Sequence, residues 1–169
     1  MIVVSSLNNK ITRGLNSDIS NWASNEDHLH YQKMFNDSGL VIMGSSTFEA
    51  MNLKANSNRL VIVLTRDPLK YQDKFIKDQL EFSSLEPIQL VRQLEKRGYK
   101  DGLLIGGSHI FDLFINAKLI NYILLTIEPK LFSSGVQLFD NLGKDYDLKL
   151  LSVKKLNNSG TLLLKYLFL

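Results

Sequence analysis

Three runs in this chain are apolar from end to end: Leu40-Val41-Ile42-Met43, Leu60-Val61-Ile62-Val63-Leu64 and Leu103-Leu104-Ile105. A strand with one wet face alternates polar and apolar residues, so a strand with no polar face must be covered on both sides. Helices are the usual cover, and strands alternating with helices build parallel, right-handed crossovers. Helical patterns do lie between these runs. Ser24-x-x-Asp27 opens a capping signal for a helix to Asn36, and Ser46-Thr47-Phe48-Glu49 repeats that signal at a second start. Ser84 precedes a pattern over Leu85 to Lys96, with Pro87 in the first turn and Gly98 as the stop. Ile110, Phe111, Leu113, Phe114 and Ala117 form the apolar stripe of a fourth helix.

Further strand-length runs are Ile2–Val4, Tyr122–Ile127, Leu148–Val153 and Thr161–Phe168. Beyond Pro129 no helical pattern appears, and Asn157-Asn158-Ser159-Gly160 reads as a hairpin turn. The expected fold class is α/β: a single domain over residues 1–169, with a mixed, mostly parallel central sheet flanked by helices and a C-terminal antiparallel hairpin. The apolar run Leu162–Leu169 is expected in the core rather than at a dimer edge.

Composition narrows the function classes. With 44% hydrophobic and 22% charged residues, the chain has the balance of a globular protein. No cysteine is present, which excludes disulfides, thiol nucleophiles and zinc ribbons. No metal is expected, since His28 and His30 sit two apart on different helix faces and only three histidines exist. A net charge of +3 with scattered Lys and Arg tolerates anionic ligands without marking a nucleic-acid surface. Met1-Ile2-Val3-Val4-Ser5-Ser6 lacks the pattern of a secretory signal, and no run reaches bilayer length. The expectation is a cytoplasmic monomer or homodimer that binds a small-molecule substrate, with no nucleic acid and no membrane.

Chemistry gathers where apolar runs end. Leu40–Met43 runs into Gly44-Ser45-Ser46-Thr47, Leu60–Leu64 into Thr65-Arg66-Asp67-Pro68, and Leu103–Ile105 into Gly106-Gly107-Ser108. Each has a plain reading: capping for Ser46, a turn for Asp67-Pro68, punctuation for the glycine pair. Together, helix N-termini with hydroxyls and an arginine along one sheet edge make a polyanion site.

These segments carry a resemblance. Val41-Ile42-Met43-Gly44-Ser45-Ser46-Thr47-Phe48-Glu49, Arg59 to Arg66 and Ile105-Gly106-Gly107-Ser108-His109-Ile110-Phe111 resemble, in order and spacing, the signature segments of dihydrofolate reductases. Leu125-Thr126-Ile127 resembles a fourth. Ser6-Leu7-Asn8-Asn9-Lys10-Ile11 resembles the Ser-Leu-Asp-Gly-Lys-Ile element of the related reductase domain of riboflavin biosynthesis. The resemblance covers about residues 1 to 140 and implies an NADPH site. Gly44, Ser45, Ser46 and Thr47 would receive the pyrophosphate, and Leu64, Thr65 and Arg66 the adenosine 2′-phosphate. Ser6, Lys10, Ile11, Ile105, Gly106, Gly107, Ser108, His109, Ile110 and Phe111 would line the rest, with the glycine pair typically joined by a cis peptide.

On the acceptor side, the resemblance implies that Asp27 holds the pterin and assists protonation of N5, with Thr126 supporting it. Glu26 and His28 are the neighbours that a one-residue slip would substitute. Trp22, Tyr31, Phe48, Arg59 and Ile105 complete the implied substrate site, Arg59 taking a folate carboxylate. Capping by Ser24 is the plain alternative for Asp27, and core packing for Trp22.

Several residues depart from the patterns. Ser45 stands where a basic residue is common, Asn8-Asn9 replaces Asp-Gly, and Ile105 replaces the glutamate of the riboflavin-pathway enzyme. The loop Asn16–Asn25 lacks the Met-Pro-Trp element of dihydrofolate reductases. The leading expectation is reduction of 7,8-dihydrofolate to tetrahydrofolate by hydride transfer. The alternative is the 5-amino-6-(5-phosphoribosylamino)uracil reductase of riboflavin biosynthesis, and a third reading is a non-catalytic nucleotide- or pterin-binding protein.

Overall fold

The computed structural model describes residues 1–16 and 18–169, so Ser17 of the Asn16–Asn25 loop lies outside the described residues. In chain order the elements are β1 (Ile2–Ser6), α1 (Asn25–Asp37), β2 (Leu40–Gly44), α2 (Ser45–Met51), β3 (Leu60–Leu64), β4 (Leu80–Ser83), α3 (Pro87–Lys96), β5 (Leu103–Leu104), α4 (Ser108–Asn116), β6 (Tyr122–Glu128), β7 (Leu148–Lys155) and β8 (Leu162–Phe168). The fold is α/β with parallel strands flanked by helices, as the apolar runs require.

Every residue of β2 and β3 is buried, and the period of two divides them between two cores. Leu40, Ile42, Leu60, Ile62 and Leu64 pack with Leu90 and Leu94 of α3 and Ile110, Phe111, Phe114 and Ile115 of α4. Val41, Met43, Val61 and Val63 face the other way, against Phe48 of α2 and Tyr31, Met34 and Phe35 of α1. Each such buried side chain stabilises the fold by about 1.5–3 kcal/mol relative to exposure.

Strands β4-β3-β2-β5 form one parallel sheet, while β1-β6-β8-β7 form a second in which β1 and β6 are parallel and β8 runs antiparallel to both neighbours. The single sheet expected from sequence is therefore divided between β5 and β1. Only Leu103 and Leu104 of β5 join the ladder before the glycine pair, level with Val41 and Ile42 of β2. Side chains still bridge the division, since Ile2 packs with Val41 and Leu103.

The hairpin forms at residues 157–160, with Gly160 at φ +99°. Strand β8 lies inside its sheet, and β7 is the edge, exposed along its whole length. Two helix starts differ from the sequence reading. The cap of α2 is Gly44 rather than Ser46, and α3 begins at Pro87 with Glu86 as cap rather than Ser84. Strand β4 has no sequence counterpart, because Leu80-Glu81-Phe82-Ser83 alternates over only four residues.

Candidate active site

The register of the parallel sheet places the three turns together. Gly44 is level with Leu64, and Ile42 with Leu104, so β2, β3 and β5 end at one edge. Ligands of open α/β sheets bind beyond such carboxyl ends. The Gly44 N–H donates to Gly106 O at 2.7 Å, tying the first turn to the third. A Cβ on Gly44 would stand 2.9 Å from Ile110 Cγ1, and one on Gly107 would stand 3.8 Å from Thr47 Oγ1. Gly106 has φ +115°, which favours glycine, and the Gly106-Gly107 peptide is cis.

Neither Gly44 nor Gly107 supplies a side-chain cap, so the first N–H groups of α2 and α4 keep their capacity for an anion. Ser108 Oγ is buried without a partner beside them. Arg66 is exposed and forms no ion pair among the described residues, while Thr65 Oγ1 is used locally, accepting from Asp67 N at 3.2 Å. Orphaned donors, a close approach of backbone and a free guanidinium suit a dinucleotide carrying phosphates.

Some expected cofactor contacts sit elsewhere. Phe111 and Ile110 lie in the core under the glycine pair, where the Phe111 ring packs against Gly106, and Leu64 is buried in the same cluster. These three support the cradle from behind. His109 is exposed on α4 and Ile105 is buried against Phe48 and Val41.

The Ser6–Ile11 element is a clasped turn. Ser6 Oγ donates to Asn8 Oδ1 at 2.8 Å and accepts from Lys10 N at 3.0 Å. The Asn8 amide takes both backbone groups of Phe132, donating to O at 2.9 Å and accepting from N at 3.1 Å. Asn8 thus has a fastening role that accounts for its place in the turn. Lys10 Nζ donates to the Gln137 side chain at 3.0 Å, and Ile11 packs against the larger core.

On the acceptor side, α1 presents Glu26, Asp27 and His28 in its first turn, and Asp27 is the one that is buried, at 3% exposure. Ser24 Oγ accepts from Asp27 N at 3.3 Å, half of a capping box. The other half is missing: the Ser24 N–H donates to Glu128 Oε1 at 2.7 Å, not to Asp27. The Asp27 carboxyl is thereby left for other work. Burial holds it above the ordinary carboxylate range; the Thr126 hydroxyl opposes this, the Glu128 charge reinforces it and His28 opposes it. Thr126 is fully buried, and its hydroxyl, though close enough to influence Asp27, completes no hydrogen bond of good geometry.

Tyr31, one turn on, stacks on Phe35 and donates to Met51 Sδ at 3.5 Å. Burial raises its phenol well above the usual range. Trp22 is buried edge-on to Phe132 with ring centroids 5.1 Å apart, and its Nε1 lacks a partner. Phe48 is not a pocket wall: it is locked edge-on between Tyr71 and Phe82 in the core. Arg59 is also occupied, donating to Phe35 O and, at 3.1 Å, to Asn36 Oδ1 while stacking 4.3 Å over the Phe35 ring. Its guanidinium closes the C-terminal end of α1, and it lines a cleft of about 190 Å³ with Phe35, Leu53 and Lys54.

With this geometry in view, the RibD C-terminal domain family matches residues 6–162, which takes in both glycine turns, Asp27 and Thr126. The chain belongs to that family. A riboflavin biosynthesis protein from Shewanella sp. PV-4 superposes with TM-score 0.74 at 19% identity, covering 99% of this chain and 97% of that one. A pyrimidine reductase-like protein from Corynebacterium diphtheriae gives 0.78 at 14% identity, over 99% and 90% of the two chains. A diaminohydroxyphosphoribosylaminopyrimidine deaminase/5-amino-6-(5-phosphoribosylamino)uracil reductase from Thermotoga maritima gives 0.75 at 18%, and this RibD family chain spans 55% of its length. At these identities the likeness is one of fold. A bifunctional dihydrofolate reductase-thymidylate synthase from Paramecium tetraurelia is 31% identical over 91 residues, which is 54% of this chain and 18% of that protein.

Sequence reasoning missed Glu128, whose carboxylate is 2% exposed. The signal was available: Glu128 follows Thr126 by two along a strand, so the two share a face. Thr161 and Asn157 had no signal beyond their place near a turn. Among the described residues no helix is long and apolar enough to cross a membrane.

Proposed function

We propose that this protein reduces a ribosylaminopyrimidine of the 5-amino-6-(5-phosphoribosylamino)uracil class with NADPH, in place of the dihydrofolate reading favoured by the short motifs. The observation that carries the proposal is the family match over residues 6–162, a span that holds the cradle and the acid pocket together. The near-ungapped match over Arg59 to Arg66 favoured folate, but that segment lies in the cofactor half, which both enzymes share. NADPH, when bound, supplies the hydride. Gly44 to Thr47 and Gly107-Ser108 offer backbone donors to its pyrophosphate, and Arg66 a guanidinium to its 2′-phosphate. Asp27, buried and raised in pKa, is the group that delivers a proton beside the carbon receiving hydride.

Dihydrofolate remains the second reading, favoured by the identity with the Paramecium protein and by the Arg59–Lys54 cleft. Loss of NADPH absorbance is measured with each acceptor in turn. Turnover of the pyrimidine alone is the expected result; turnover of dihydrofolate alone replaces the proposal with the second reading. NADPH binding without turnover of either makes the protein a binding module.

A further inference from the structure

Glu128 ends β6 two residues after Thr126, and its carboxylate joins three parts of the chain. Oε1 accepts from the Ser24 N–H at the start of α1, at 2.7 Å, and Oε2 accepts from Thr161 Oγ1 at the start of β8, at 2.8 Å. Thr161 is itself held by Asn157, whose Nδ2 donates to Thr161 Oγ1 at 3.0 Å and whose Oδ1 accepts from Thr161 N at 3.1 Å. The same Nδ2 reaches Glu26 Oε2 at 3.1 Å. Burying a carboxylate costs several kcal/mol after relaxation. A neutral amide could make much of this network, so the network alone does not explain the acid.

We propose that Glu128 is a positioning residue for Asp27: it takes the Ser24 N–H that the α1 acid would otherwise cap, pins the first turn of α1 to the β7–β8 turn, and sets a negative charge beside the Asp27 carboxyl. A negative charge beside a buried carboxyl disfavours its ionisation. The charge of Glu128 pushes Asp27 in that direction, in line with its burial. The titratable groups facing Asp27 are Glu128 from β6 and His28 and Tyr31 from α1, with Arg59 acting on Tyr31 from the start of β3. Thr126, Thr161 and Asn157 contribute no charge.

This inference rests on the reductase reading for its use in turnover. The acceptor gains two electrons and one hydrogen as hydride from the bound nicotinamide, one proton passes from Asp27 to the neighbouring heteroatom, and solvent returns that proton to Asp27.

The test is a carbon-13 carboxyl titration of the full chain with NADPH bound, alongside pH profiles of kcat/KM. Glu128→Gln is expected to lower the Asp27 midpoint and to move the acid-side limb of the profile with it. Glu128→Asp keeps the charge but shortens the reach, so kcat falls while the midpoint stays raised. An Asp27 midpoint unmoved by Glu128→Gln overturns the proposal. Should Glu128→Gln not fold, Thr161→Val decides, since it removes the hydroxyl that donates to Glu128 Oε2: a moved Asp27 midpoint supports the proposal, and an unmoved one overturns it. The titration needs no acceptor, so a failure of turnover with every acceptor strikes the reductase reading and leaves the Glu128 result standing.

Discussion

Gly44→Ala isolates the close approach of the first glycine turn to Ile110 of α4. Gly44 has φ −86° and ψ 161°, which alanine adopts without strain. The substitution also narrows the unfolded ensemble, a gain of about 0.4–1 kcal/mol. Against this, the new Cβ would lie 2.9 Å from Ile110 Cγ1 and 3.6 Å from Gly106 O. Cγ1 is the first branch carbon of a buried residue on α4, so it cannot swing aside as a flexible tip would. Overpacking of this kind costs about 1–3 kcal/mol, which leaves a net loss of about 0–2.6 kcal/mol. Ile110→Ala removes the obstacle and by itself costs about 2–5 kcal/mol. In that background Gly44→Ala becomes neutral or stabilising, because only the entropic gain is left. Urea unfolding of the four proteins measures the cycle. A Gly44→Ala cost equal in both backgrounds to within about 0.5 kcal/mol would refute the steric account of Gly44.

Asp27→Asn lowers turnover about 10²–10⁴-fold near neutral pH while NADPH binding, followed by fluorescence, survives. The same change stabilises the protein at neutral pH. The Asp27 pKa is raised on folding from an ordinary 3.8, so the folded state binds more protons and ionisation of Asp27 opposes folding as pH rises. The gain of Asp27→Asn is therefore largest above the folded midpoint and vanishes below 3.8, which urea melts across that range will read. Arg59→Ala frees the Phe35 carbonyl and the Phe35 ring face, costing about 2–4 kcal/mol in the same assay. Arg59→Lys recovers little of that, because an ammonium cannot fork between Phe35 and Asn36.

What the sequence exposed and what it hid follow from chain separation. The cradle is written in strand-turn-helix units, where Gly44, Leu64 and Gly106 each follow an apolar run and register does the rest. Local patterns of that kind are legible. The acid pocket is assembled by residues with no local signature. Asp27 is freed from its capping box only because Glu128 takes the Ser24 N–H, a pairing across 104 positions. Phe48 was misread for the same reason: its residue type suits a ligand contact, but tertiary packing engages it with Tyr71 and Phe82. Arg59 is engaged with Phe35 while still lining a cleft.

That division has a consequence for folding. The cradle comes from one stretch of sequence running from β2 to α4, whose parallel strands need only the usual helical crossovers. The acid pocket waits on closures of another scale: Asn8 to Phe132 spans 124 positions, and β1 must find β6. Loop closure over such distances adds little to the equilibrium cost, since each doubling of length is worth only about 0.6 kcal/mol, but distant pairing is slow. A chain part-way to the native state would therefore hold a place for a dinucleotide before it holds a proton donor, and the site would become an enzyme only as its last long-range contacts form.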